Sequence, residues 1–183
     1  METAVQKTIS FGRPVMEPYL IPVIHNSTPS CINVPFMVEG QEYRVTSFAL
    51  HNCEGASSAG ARSEGAGSEG AKPYGIVITD NVEKLDMSLH GKALCTHPLF
   101  PNGADIVFVE IKRRDLLKAR LYEKEEGEVD FSERGACAAF VAARILQKTY
   151  ESAVVSMGGK VCRVEWDGVD GDVIFMPDIV GIV

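Results

Sequence analysis

Apolar positions along the chain mostly alternate with polar ones or form short runs, which is the signature of strands. Val34–Val38, Tyr43–Leu50, Gly75–Thr79 and Asp105–Ile111 are rich in β-branched and aromatic residues and are predicted as strands. Leu116–Tyr122 follows Asp105–Ile111 across the polar stretch Lys112-Arg113-Arg114-Asp115, which predicts a hairpin. Ala153–Met157, Lys160–Trp166 and Asp172–Met176 are three more strands, separated by the turn signals Gly158-Gly159 and Asp167-Gly168. Val82–His90 reads as a short surface helix with Val82, Leu85 and Leu89 on one side. The one strong helix is Gly135–Tyr150. Ala136 to Ala143 leaves no polar face before Arg144, so this helix must be surrounded by protein. A sheet wrapped round one central helix supplies that surround. Asp130 and Glu133 have the spacing of a capping-box variant, and Ser132 is also a good N-cap type.

One stretch breaks the pattern. Of the 17 residues from Gly55 to Ala71, 14 are Gly, Ala or Ser, and Ser63–Gly67 is imperfectly repeated at Ser68–Lys72. It has no large side chain to bury, so it is expected to be a mobile insertion within a single domain over 1–183.

Composition narrows the classes. The chain has 183 residues, 45% hydrophobic and 23% charged, with a net charge of −7. That size supports one core without staples. An acidic chain lacks the footprint of a phosphate-backbone binder, so neither nucleic acid nor an anionic membrane is expected as a partner. The five Cys (31, 53, 95, 137, 162) are odd in number and widely spaced, without Cys-x-x-Cys. Four His show no ligand spacing. These patterns point to no metal site and no disulfide framework. With no basic, then apolar, leader in Met1–Lys7, they predict a reducing, cytoplasmic compartment.

At the strong helix the sequence resembles a known family. Glu128-Val129-Asp130-Phe131-Ser132-Glu133-Arg134-Gly135-Ala136-Cys137-Ala138-Ala139 resembles the diaminopimelate epimerase signature Glu-Thr-x-Ala-Cys-Gly-Thr-Gly-Ala-Cys-Ala-Ala. Phe100–Phe108 resembles that family's Phe-Pro-x-x-Thr-Asn-Val-Glu-Phe, and Arg120–Lys124 its Arg-x-Trp/Tyr-Glu-Arg. Met157–Trp166, Phe11–Pro14 and Ile21–Val23 are similar to further segments, in order, of the family's second lobe. The resemblance implies an α+β fold: one epimerase-like lobe, a curved mixed sheet wrapped around the central helix at about 135–150.

It also implies chemistry. Members are cofactor-independent racemases and epimerases of two similar lobes, whose active site lies between facing helix N-termini. Backbone N–H groups there hold the substrate carboxylate. One Cys from each lobe moves the α-proton, a thiol being acidic enough to be drawn down by a helix start. In this sequence the catalytic position is Ser132, and the substrate-binding positions implied are Asp105, Glu123, Lys124, Glu133 and Arg134. Ser132 stands at the family's Cys, Glu133-Arg134 at its Gly-Thr, Lys124 at its clamping Arg and Asp105 at its Asn. The expectation is a diaminopimelate epimerase-like protein serving lysine and cell-wall synthesis, a second-lobe fragment or degenerate member inactive alone. The alternative is a non-catalytic module that binds a small anion or amino acid, or a lobe that pairs with a partner protein. Expected partners are an amino-acid-like small molecule and a second copy or a separate N-terminal lobe.

Overall fold

A computed structural model describes residues 8–17, 31–51 and 72–177. The segments 55–71 and 21–23 lie outside the described residues. Ten strands form one sheet: β1 (Ile9–Ser10), β2 (Val34–Val38), β3 (Gln41–Leu50), β4 (Lys72–Ile78), β5 (Asp105–Arg113), β6 (Leu116–Glu123), β7 (Gly127–Val129), β8 (Ser152–Met157), β9 (Lys160–Glu165) and β10 (Ile174–Met176). Their order is β1-β10-β9-β8-β6-β5-β4-β3-β2, with β7 on β6 beside β8. The pairs β4–β5 and β6–β8 are parallel, and the rest are antiparallel. The sheet is mixed and open, and the fold is α+β.

The central helix packs against β3 to β6 and β8 to β10 at once, which requires the sheet to curve round it. Every residue from Gly135 to Ala143 on that helix is buried. Its small residues let strands approach closely on all sides. Phe140 fills the core together with Phe48, Leu50, Ile76, Val107, Leu117, Val155 and Phe175. β5 is buried on both faces. Val107 and Val109 face the helix, while Ile106 and Phe108 face a second cluster with Phe36, Val45, Leu94 and Phe100. That is why β5 reads as a continuous apolar run rather than an alternating one.

The long helix spans Glu133–Ile145, starting two residues before the expected Gly135 and stopping short of Tyr150. Gln147 takes φ +57°, and the N–H groups of Lys148 and Gln147 fold back onto the carbonyls of Ala143 (2.8 Å) and Arg144 (3.0 Å). This left-handed cap ends the helix although the pattern of apolar residues did not mark it. The expected surface helix at Val82–His90 does not form. A 3-10 turn, Val82–Lys84, is followed by extended backbone, a π turn, Met87–Gly91, and the one-turn helix α1 (Lys92–Cys95). The long helix is therefore α2. Asn81 and Asp86 each cap a separate turn, through Glu83 N–H (2.9 Å) and Leu89 N–H (3.1 Å), and so divide the segment. Leu89 faces solvent, while Val82, Met87 and Leu94 cover the sheet's outer face. The hairpin between β5 and β6 is tighter than expected, because β5 runs on through Lys112 and Arg113.

Candidate functional site at the start of the central helix

β7 delivers the chain to α2 through a bend at Asp130. Ser132 then adopts extended backbone (φ −144°, ψ 127°) and its Oγ accepts the Gly135 N–H at 3.1 Å. Its carbonyl accepts Ala136 N–H at 2.9 Å. Ser132 is therefore the N-cap. The Asp130–Glu133 capping box is not formed, because Asp130 lies in the bend before the cap. With Gly135 N–H satisfied, the N–H groups of Glu133 and Arg134 have no partner among the described residues, the usual condition of a helix start. Gly135 packs closely here: a Cβ would lie 2.8 Å from Leu121 Cδ2 and 3.3 Å from Ser132 Cβ. The charge of Glu133 is felt at Cys162 in β9 and that of Arg134 at Tyr74 in β4.

Beside this start, the ends of three strands carry a charged cluster. Asp105, the first residue of β5, is 2% exposed, so its carboxylate needs a partner. It has two: the ammonium of Lys72, the first residue of β4, and Lys124 N–H at 3.0 Å. Lys72 also lies 3.9 Å from Glu123, the last residue of β6. Lys124 sends its own ammonium to Asn102 O (2.8 Å) and lies 3.6 Å from Glu125. Tyr74 sits opposite Asp105 in the parallel pairing of β4 and β5. Burial pushes its phenol well above the ordinary value; Arg134 opposes this, while Asp105 and Glu123 add to it. Asp105, Glu123 and Lys124 are thus brought together with Lys72 at the ends of β4, β5 and β6.

Lys72 and Tyr74 are the cluster residues that sequence reasoning did not single out. The one available signal is that Lys72 stands where the small-residue run gives way to a largely apolar strand. Among the described residues, no group of three or more His, Cys, Asp and Glu is placed to hold a metal ion. No described helix is long and apolar enough to cross a membrane.

A family model described as Diaminopimelate epimerase matches residues 70–182. The chain belongs to the diaminopimelate epimerase family. It is 26% identical over 159 residues to the Diaminopimelate epimerase of Leptospira biflexa serovar Patoc, covering 87% of this chain and 50% of that protein. It is 28% identical over 168 residues to that of Carboxydothermus hydrogenoformans, covering 92% and 53%. The chain thus spans about half the length of the curated relatives it matches. Among solved structures, a phenazine biosynthesis protein PhzF family member from Enterococcus faecalis aligns with a TM-score of 0.42 at 11% identity, over 52% of this chain and 34% of that one.

The stretches that resemble diaminopimelate epimerase motifs converge in space. Glu128–Ala139 forms the end of β7, the Ser132 cap and the first half of α2. Phe100–Phe108 leads into β5, and Arg120–Lys124 ends β6. The Gly158-Gly159 turn between β8 and β9 packs on the bend before the cap, so closely that a Cβ on Gly158 would stand 1.9 Å from Asp130 O. Arg120 ties the region together. It donates to Glu128 from Nε (2.9 Å) and Nη2 (2.6 Å), and from Nη1 to Val82 O (2.8 Å) and Leu85 O (3.1 Å).

Proposed function

We propose that this chain is one lobe of a diaminopimelate epimerase-type protein that holds an amino-acid-like ligand at the start of α2 and does not by itself move the α-proton. The observation that carries the reading is the Ser132 hydroxyl, whose hydrogen bond among the described residues is accepted from Gly135 N–H. Stereoinversion needs one group to take the proton from one face of the α-carbon and another to return it from the other. A hydroxyl is a far weaker acid than a thiol, whose free pKa is about 8.5, and it needs an adjacent base to act near neutrality. Here the hydroxyl's partner among the described residues, Gly135 N–H, is a donor, not a base.

Binding has better support than proton transfer. The N–H groups of Glu133 and Arg134 suit a carboxylate at the helix start. Glu123, 3.9 Å from Lys72 and with a partly exposed side chain, offers an acceptor to an ammonium group. A zwitterionic head fits this pairing of donors and acceptor. The other face of the ligand is closed by a further lobe, in the same polypeptide, in a second copy or in a separate chain. A second copy meeting this one through the helix-start face would bring two Ser132 residues together about a two-fold axis.

The test is incubation with LL-diaminopimelate in deuterated water, with amide spectra recorded in parallel. The expected result is movement of the Glu133 and Arg134 amide signals without deuterium at Cα. Deuterium incorporation by wild type that disappears in Ser132→Ala would overturn the reading. The non-catalytic binding module remains the second reading, favoured by the commitment of Ser132 to capping. It predicts the same amide shifts, with no exchange even when a complementary lobe from a relative is added.

A further inference from the structure

The end of α2 remote from Ser132 carries a second polar recess, and it is independent of the reading above. Arg114, Arg144, Thr149, Tyr150, Glu151 and Ser152 frame an open hollow of about 450 Å³. Its walls are fixed by the backbone. Tyr150 N–H donates to Arg114 O (3.0 Å), Trp166 N–H to Glu151 O (2.9 Å), and Arg114 Nη2 to Gln147 O (3.4 Å). Two polar groups in the lining lack partners. Thr149 is 0% exposed and its Oγ1 has no hydrogen bond among the described residues; nor does the buried Nε–H of Arg144. Buried polar groups without partners are few in folded proteins, and each asks for an explanation.

The charges give the recess a sign. Arg144 spends Nη2 on Asp167 O (3.1 Å) and lies 3.8 Å from Glu151. The Arg114 guanidinium lies 5.1 Å from the centre of the exposed Tyr150 ring, and Arg163 donates to Ser152 Oγ at 3.2 Å. Of the carboxylates nearby, Asp115 is engaged by Arg113 and Asp167 by the N–H groups of Val169 and Gly171, while Glu165 stands opposite Ser152 in the β8–β9 pairing. Glu151 is thus the one carboxylate of the lining against two guanidiniums, on a chain whose net charge is −7. The hollow is far larger than a water, whose share of liquid volume is about 30 Å³. It falls within the range of small-molecule pockets.

We propose that this recess binds a small oxyanion, the phosphate or carboxylate group of a metabolite, through Arg114, Arg144 and the Thr149 hydroxyl. Guanidinium donors match the planar or tetrahedral oxygens of such a group. Both the Thr149 Oγ1 and the Arg144 Nε are buried, so this binding requires the lining to turn them toward the bound oxygens.

Thermal unfolding of the full chain in inorganic phosphate, and separately in acetate, tests this against chloride at equal ionic strength. The expected result is a saturable rise in Tm with at least one of the two anions; which one responds identifies the phosphate or carboxylate source. Arg114→Gln and Thr149→Val should each weaken apparent binding about tenfold. Thr149→Val should stay folded, because it removes a hydroxyl that has no partner. If that variant fails to fold, Arg114→Gln and the Arg144 Nε–H resonance, which should shift on anion binding, decide the matter. No saturable rise with either anion, or a rise unchanged in Arg114→Gln with a static Arg144 resonance, would overturn the proposal.

Discussion

Ser132 is an N-cap whose hydroxyl satisfies Gly135 N–H. Ser132→Ala removes that bond and should cost about 1 kcal/mol in a urea melt; an unchanged midpoint would show that the hydroxyl does not cap the helix. The thiols show the opposite of catalytic tuning. Burial pushes Cys31 up to about 11 and Cys162 up to about 12, and it raises Cys95 as well. Native protein at pH 8 should leave these three unlabelled by iodoacetamide, as read by peptide mass mapping, and label them once unfolded. Glu110 provides a pH handle. Its carboxylate is held below the ordinary Glu value of 4.5 by Lys112, against a smaller opposing effect of burial, with help from Val82 N–H at 3.1 Å. A depressed folded value means that this stabilisation is present above pH 4.5 and is lost as pH falls through the folded value. Urea midpoints should therefore drop below pH 4.5, and the drop should be shallower in Glu110→Gln. An equal slope in the two proteins would remove Glu110 from the account.

At the scale of elements, most strands were legible, but the short β1 and β7 were not expected and the ends of helices were not marked. Strands such as Val34–Val38 announce themselves by composition and flanking turns, and β2 has those bounds. The stop of α2 at Ile145 depends on Gln147 taking a left-handed conformation, which no side-chain pattern advertises. Glycine is at ease there, so Gln147→Gly should raise stability by about 0.5–1 kcal/mol if the relief of strain outweighs the added freedom of the unfolded chain. A loss of stability would mean that the Gln side chain holds something the backbone does not. Gly158 is the opposite case. It has φ +56° and Asp130 O stands where a Cβ would go, so Gly158→Ala must shift the β8–β9 turn or the bend before Ser132. It should lower the urea midpoint more than Ser132→Ala does, and an alanine tolerated without loss would contradict the packing described. The charged cluster was only half legible. Asp105, Glu123 and Lys124 lie in motif-like stretches, but the Lys72 pairing exists only because β4 runs parallel to β5, a long-range choice that neither strand's sequence states.

For the whole molecule, one pairing sets the order in which the parts can be completed. Among the described residues β1 joins the sheet only through β10, with Ile9 opposite Phe175, and Phe11 packs edge-on to Phe175 with ring centres 6.4 Å apart. A ribosome releases Ile9 long before Phe175. Val15 can bond early, to Ala49 on β3 (2.9 and 3.0 Å), whereas Phe11 N–H must wait for Val173 O and Gly12 O for Val173 N–H. Until Val173–Met176 emerge, the nascent chain therefore carries an apolar Phe11 with its pocket half built, and long-range strand pairing of this kind is slow and prone to association. The earliest described strand is finished by the latest one, so folding of this lobe cannot conclude on the ribosome until the segment around Val173–Met176 has emerged.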